Sequence, residues 1–285
     1  MIFEFEKGGV ISGNDVDIHE TVEIGNNVQI VCDKIKIGKY SKIGDNVKIT
    51  CKSFEAGSWL FMLDGVEVGR GGCYGPNSTL KIGDHVGIFE NTIINPSDSI
   101  EIGDNTGIGA EVMIWTHGAW LSVLDGFPAD FGPVKIGNNV WLPARSIVLP
   151  NVTVDDNVVI GINSVVNRNL PNGCFAAGSP CKVIKENVYP KKLTSIEKEN
   201  IVKKILHAWY GLHESKGIEN ITTEYKNGKI NLIQGENITI YDIDSKVIEG
   251  YTNNVTEDLR DFLRRNGIKI YTNSFFSSIT PQWVG

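Results

Sequence analysis

Aliphatic residues recur along this chain with a step of six. From Ile136 the step lands on Leu142, Val148, Val154, Ile160 and Val166, and four positions after each of the first five stand Val140, Ser146, Val152, Val158 and Ser164. Shorter runs keep the same step at Ile37, Ile43 and Ile49, at Ile82, Ile88 and Ile94, and at Ile102, Ile108 and Ile114. The tetrapeptide Ile-Gly-Asx-x begins at Ile24, Ile43, Ile82, Ile102 and Ile136, with the looser Ile-Gly-Lys-Tyr at Ile37.

A period of six fits neither the 3.6 of a helix nor the alternation of a long strand. It fits short strands separated by corners, where Gly, Asn or Asp lets the backbone turn at low steric cost. Three such sides close a triangular coil, and successive coils stack at the strand spacing of about 4.8 Å with each aliphatic residue resting on its equivalent. The pattern therefore predicts a mainly β fold, a parallel β-helix. A sandwich with Gly-rich turns would not hold a six-residue phase from Ile136 to Val166.

The repeat breaks twice, and breaks of this kind commonly carry function. Residues 51–79 contain Trp59, Phe61, Arg70, Gly71-Gly72 and Gly75-Pro76 without a clean hexapeptide. Residues 116–133 form an excursion loop containing His117 before the phase resumes at Val134 and Ile136. Beyond residue 189 the hexapeptides stop. There the spacing of Ile196, Ile201, Ile205, Trp209 and Leu212 predicts a helix over 195–215, with Gly217 as its stop. Strands are predicted at 221–225, 230–233 and 238–243, the first two joined by Asn227-Gly228, then a helix over 256–265 and a strand over 268–271. The organisation expected is a β-helix domain over 1–189 and a small α+β C-terminal extension over 190–285.

Composition narrows the function. The 285 residues carry a formal net charge of −7 and no basic run, which argues against a nucleic-acid partner. The amino terminus has Glu4 and Glu6 where a leader would be basic, and no apolar stretch approaches the roughly eighteen residues of a membrane span, so a cytoplasmic chain is expected. The five cysteines form no CxxC pair and read as buried thiols.

The run from Val134 to Lys185, closing on Gly178-Ser179-Pro180-Cys181-Lys182, resembles the last coils and terminal signature of the hexapeptide-repeat acyltransferases. Within them it is similar to the galactoside, maltose and capsular-polysaccharide O-acetyltransferases, over roughly residues 14–188. His117 and Trp141, twenty-four residues apart, match the spacing of that family's loop histidine and cofactor tryptophan. The resemblance implies that the β-helix is left-handed, and it implies a homotrimer with active sites between neighbouring subunits, acetyl-CoA as donor and a saccharide or sugar-like acceptor, in the synthesis of capsule, lipopolysaccharide or another surface glycan. It implies His117 as general base, with Trp141 and Ala144 beside the thioester and pantetheine arm, and Arg168, Lys182 and Lys185 as a basic patch for the cofactor phosphates. Ile162 falls at a further cofactor position, although Ile162-Asn163 replaces the Ala-Gly pair usual there. Asn91 lies near the place of an acceptor-contacting asparagine.

A histidine suits this chemistry because a sugar hydroxyl is too weak an acid to attack a thioester unaided. An imidazole of ordinary pKa about 6.5 is largely neutral at pH 7 and can take the proton as attack proceeds. Other readings stay open: N-acetylation of an amino sugar, and a non-catalytic trimeric scaffold. A zinc enzyme on the same fold would need three converging histidines, with a pair five residues apart. The residue five after His117 is Ser122, so no metal is expected.

Overall fold

The computed structural model describes residues 2–5 and 8–284; Glu6 lies outside them, and Glu4 enters only through its backbone. The chain forms two compact units, residues 1–191 and 192–285.

The first unit is a parallel β-helix with three faces. Its first face stacks 15–18, 34–37, 53–56, Thr79–Ile82, Ile100–Ile102, Val134–Ile136 and Thr153–Val154. The second runs from Glu23–Ile24 through Phe61–Met62, Gly107–Ile108 and Trp141–Leu142 to Phe175–Ala177. The third stacks 10–12, 29–32, 48–51, Glu67–Val68, Ile93–Asn95, Met113–Trp115, Ile147–Val148 and Val165–Val166. Both residues of each hexapeptide point inward: Val140 with Leu142, Ser146 with Val148 and Ser164 with Val166 are all at most 2% exposed.

The Ile-Gly-Asx-x motif is explained by the neighbouring coil. Ile102 is buried, and a β-carbon on Gly103 would lie 2.6 Å from Asn138 Oδ1 in the next coil, so only glycine fits. The Asp104 carboxylate accepts the Asp84 N–H of the coil before it (2.8 Å), and Asn138 Oδ1 in turn accepts the Asp104 N–H (2.7 Å). Asn105 turns the corner at φ 52°, a left-handed conformation that asparagine tolerates better than most residues. Its amide donates to Asn139, which donates to Asn157, forming a side-chain ladder along the edge. His85 takes the same corner position at φ 61°.

Register locates the insertions. Partners stand 19 apart at Ile30 and Ile49, 20 at Leu80 and Ile100, and 18 at Ile136 and Val154, but 26 at Phe54 and Leu80 and 34 at Ile100 and Val134. The first irregular segment is narrower than predicted, residues 69–78 rather than 51–79. Phe54, Leu60 and Val66, and Ala56, Met62 and Val68, keep the six-residue step inside the core. An aromatic, an alanine and a methionine at inward places, with Trp59 folded into a corner, hide the repeat from an aliphatic count.

The second unit packs helices on a four-stranded antiparallel sheet. Helix α1 (Ser195–Tyr210) starts with a Thr194–Glu197 capping box and buries Val202, Ile205, Leu206 and Trp209. The single helix expected over 195–215 is divided at Gly211-Leu212, and a short α2 (His213–Lys216) ends at Gly217 in the left-handed conformation. The strands are Ile221–Lys226, Lys229–Gln234, Asn237–Asp242 and Val247–Gly250, the last not anticipated. Asn227 and Gly228, both at positive φ, make the tight turn between the first two. Helix α3 (Asn254–Arg265) follows. The strand expected over 268–271 is irregular chain. Arg260, fully buried, gathers that segment by donating to the carbonyls of Ile270, Ser274 and Phe275 and stacking on Phe276.

Beside the core, the His213 ring packs edge-on against Trp209 (4.4 Å) and near Tyr210, and its Nε2 has no hydrogen-bond partner. Burial holds its pKa below the ordinary histidine value; Asp258 opposes this and Lys216 adds to it. The unfolded chain then binds more protons, so stability is full above about pH 6.5 and falls as pH drops through the depressed folded value. Melting followed by Trp fluorescence should show a steeper loss of stability from pH 7 to 5 in the parent than in His213→Phe. Equal slopes would remove His213 from the account.

Candidate active site

The second insertion is closed at its base. Thr116 Oγ1 donates to the Asn95 carbonyl (2.7 Å) and accepts the Asp98 N–H (2.9 Å), and the Gly132 N–H donates to the Thr116 carbonyl (3.0 Å). His117–Gly118 then pairs antiparallel with Asp130–Phe131. The half-buried imidazole stands on that base. Phe131 lies nearly flat against it, centroids 6.0 Å and planes 22° apart, and Trp115 meets it edge-on at 6.1 Å. Beyond the base the loop exposes Trp120 and Leu124, each above 90%.

One hydrogen-bond set fixes the tautomer. Asn95 is fully buried at the end of its strand, and its Nδ2 donates to the carbonyls of Gly69 (2.6 Å) and Gly71 (3.1 Å). Carbonyls only accept, so the Asn95 amide is oriented and its Oδ1 faces His117 Nδ1 at 2.9 Å. Nδ1 must therefore carry the proton. In the neutral ring Nε2 is left with the lone pair, which is the arrangement a general base requires.

Asn91 is the asparagine expected near the acceptor; the one that meets His117, Asn95, was not expected to take part. Asn91 turns a corner at φ 55° on the edge between the second and third faces, whereas His117 leaves the edge between the third and first. The usable signal was that Asn95 is a polar residue directly after the inward Ile94.

The residues named for the cofactor mostly share one edge. Trp141, 41% exposed, lies over Gly107, where a β-carbon would be 2.6 Å from its ring, and meets Phe89 edge-on at 6.2 Å. Ala144 stands above Gly109, whose β-carbon would lie 2.5 Å from the Ala144 nitrogen. The Asn163 N–H donates to the Ala144 carbonyl (3.1 Å), which sets Ile162, 69% exposed, one coil further along. Lys182 and Lys185, both exposed, follow on the strand antiparallel to Phe175–Ala177. Arg168 is exposed but emerges after Val165–Val166, on the edge that carries His117. Within one chain, His117 and the Trp141 group are thus a full face apart. Among the described residues no three His, Cys, Asp or Glu side chains converge as a metal site would need.

Residues 133–168 match the family model described as bacterial transferase hexapeptide (six repeats). The galactoside O-acetyltransferase of Escherichia coli strain K12 is 48% identical over 54 residues, covering 19% of this chain and 27% of that protein. This chain therefore spans well under two thirds of that relative's length. Among solved structures, a hexapeptide-repeat acetyltransferase of Vibrio cholerae O1 biovar eltor complexed with acetyl coenzyme A is 19% identical, with a TM-score of 0.36, over 53% of this chain and 69% of that one. A polysialic acid O-acetyltransferase is 23% identical, with a TM-score of 0.44, over 67% and 93%.

Proposed function

We propose that this chain, which belongs to the hexapeptide-repeat transferases through residues 133–168, is an acetyl-CoA-dependent O-acetyltransferase acting on a saccharide or glycan-precursor hydroxyl. The observation that carries the reading is His117, with Nδ1 committed to Asn95 and Nε2 left as the base. The likeness to a named galactoside O-acetyltransferase supports acetyl transfer to a sugar hydroxyl.

Nε2 takes the hydroxyl proton as the oxygen attacks the thioester carbonyl carbon. The C–S bond then breaks, and the imidazolium returns the proton to the departing thiolate. Gly107 lets the Trp141 ring lie flat on that edge and Gly109 lets the Ala144 backbone approach closely, so the side chains offered there to a pantetheine arm are the Trp141 ring and the small Ala144. Lys182 and Lys185 would meet the cofactor phosphates. The separation of His117 from Trp141 by one face supports a homotrimer, in which the base of one subunit faces the cofactor edge of the next. Arg168, beside His117's edge, would then reach the neighbour's cofactor.

Incubating the purified chain with acetyl-CoA and a panel of glycosides should add one acetyl group by mass, removable by mild alkali as an ester. An alkali-stable product would instead mark amide formation on an amino sugar. No acetyl transfer to any sugar would overturn the proposal.

A further inference from the structure

All five cysteines are free thiols, and two of them meet inside the β-helix. Cys32 and Cys51 are direct partners in the strands Gln29–Ile37 and Lys48–Ala56, which run parallel and in register past the edge between the third and first faces. Their sulfurs stand 3.6 Å apart, and the Cys51 thiol also reaches the Ser53 carbonyl at 3.3 Å. Neighbouring strands hold partner α-carbons about 4.8 Å apart, within the range a disulfide spans, and closing an S–S bond of about 2.05 Å moves each sulfur by about 0.8 Å. The pair is also the most accessible of the five thiols: each is 5% exposed, whereas Cys73, Cys174 and Cys181 are at most 1%.

The two thiols are chemically unequal. Cys51 can turn its proton toward the Cys32 sulfur, which holds the Cys32 pKa below the ordinary thiol value although burial opposes it. The same contact, together with burial, pushes the Cys51 thiol up. Cys32 is therefore the sulfur that ionises, and a thiolate is the nucleophile in thiol oxidation.

We propose that Cys32 and Cys51 form a reversible oxidation site, closed to a disulfide by a peroxide, that clasps neighbouring coils near the amino-terminal end of the stack. Cys32 gives its proton to water, and the thiolate attacks one peroxide oxygen. The O–O bond breaks, hydroxide leaves and takes up a proton, and Cys32 becomes a sulfenic acid. The Cys51 sulfur then attacks the Cys32 sulfur, the S–O bond breaks, and the hydroxyl departs with the Cys51 proton as a second water. The two sulfurs together lose two electrons, and the peroxide gains them. Each coil of such a stack is held only by its neighbours, so an end opens before the middle. A bond between residues 19 apart in sequence restricts the opened chain and favours the closed end. The site is independent of acetyl transfer.

The full chain, incubated with hydrogen peroxide, denatured and alkylated with iodoacetamide, tests this. The five alkylations of the untreated chain should fall to three, with the Cys32 and Cys51 peptides linked and two hydrogens lighter, and dithiothreitol should restore all five. The treated chain should melt about 5 °C higher than the untreated one, and Cys51→Ala given the same treatment should show no rise. Five alkylations after treatment, or sulfinic acid at either cysteine without a link, overturns the site. A linked chain that melts no higher than the reduced one overturns the clasp.

Discussion

His117→Ala is expected to lower acetyl transfer by about two to four orders of magnitude while leaving the affinity for acetyl-CoA and the assembly unchanged. The loss follows from removing the lone pair that the Asn95 network presents at that edge; Trp141, Ala144, Lys182 and Lys185, the residues proposed for the cofactor on the other edge, lie a face away within the chain and keep their contacts. Asn95 supplies the finer test. Asn95→Ala should cost less, about tenfold, because the ring remains but both tautomers and several orientations become available. Asn95→Asp places a carboxylate beside Nδ1 and favours the imidazolium. The acid limb of the kcat/KM profile should then move to higher pH by roughly one unit. If Asn95 only packs, the alanine variant would lose stability with no change in profile, and the aspartate variant would keep the parent limb. Near-parental turnover in His117→Ala would end the mechanism.

The second large effect concerns the second unit. Lys216 Nζ contacts Asp258 Oδ1 at 2.6 Å with both side chains at most 5% exposed, and Asp258 also accepts Trp209 Nε1 (2.8 Å) and the Ile279 N–H (2.7 Å). One carboxylate thus satisfies an ammonium, an indole and a backbone donor. Asp258→Ala would strand all three in a buried place, and the expected cost is about 3–5 kcal/mol of stability. Urea unfolding followed by Trp fluorescence measures it. Adding Lys216→Met to Asp258→Ala should restore much of the loss, since an apolar group can replace a buried ion where a lone ion cannot remain. A single variant within about 1 kcal/mol of the parent would show that water reaches Lys216.

The helical stack of the first unit was readable in the sequence because one physical constraint, stacking at strand spacing, acts on every sixth residue. Phe54, Leu60 and Met62 obey it too, but a count of branched aliphatics misses them. His117 was legible as a histidine in a loop that interrupts the repeat. Asn95 was not, because its importance lies in contacts to Gly69 and Gly71, two dozen residues earlier in sequence and adjacent only after stacking. The irregular chain at 268–271 reads as a strand locally, but its Ile270 carbonyl accepts from Arg260, a partner that periodicity cannot reveal.

The ladder at the Gly-Asx corners has a direction. The backbone donor always belongs to the earlier coil and the side-chain acceptor to the later one: Asn26 to Asp45, Asp45 to Asp64, Ser58 to Asp84, Asp84 to Asp104, Asp104 to Asn138 and Asn138 to Asp156. A chain leaving the ribosome amino terminus first therefore carries each newly made coil unfinished until the next has emerged. Completion trails synthesis by one turn, and the longest wait falls between Asp104 and Asn138, where the loop bearing His117 must be made before the corner behind it can close.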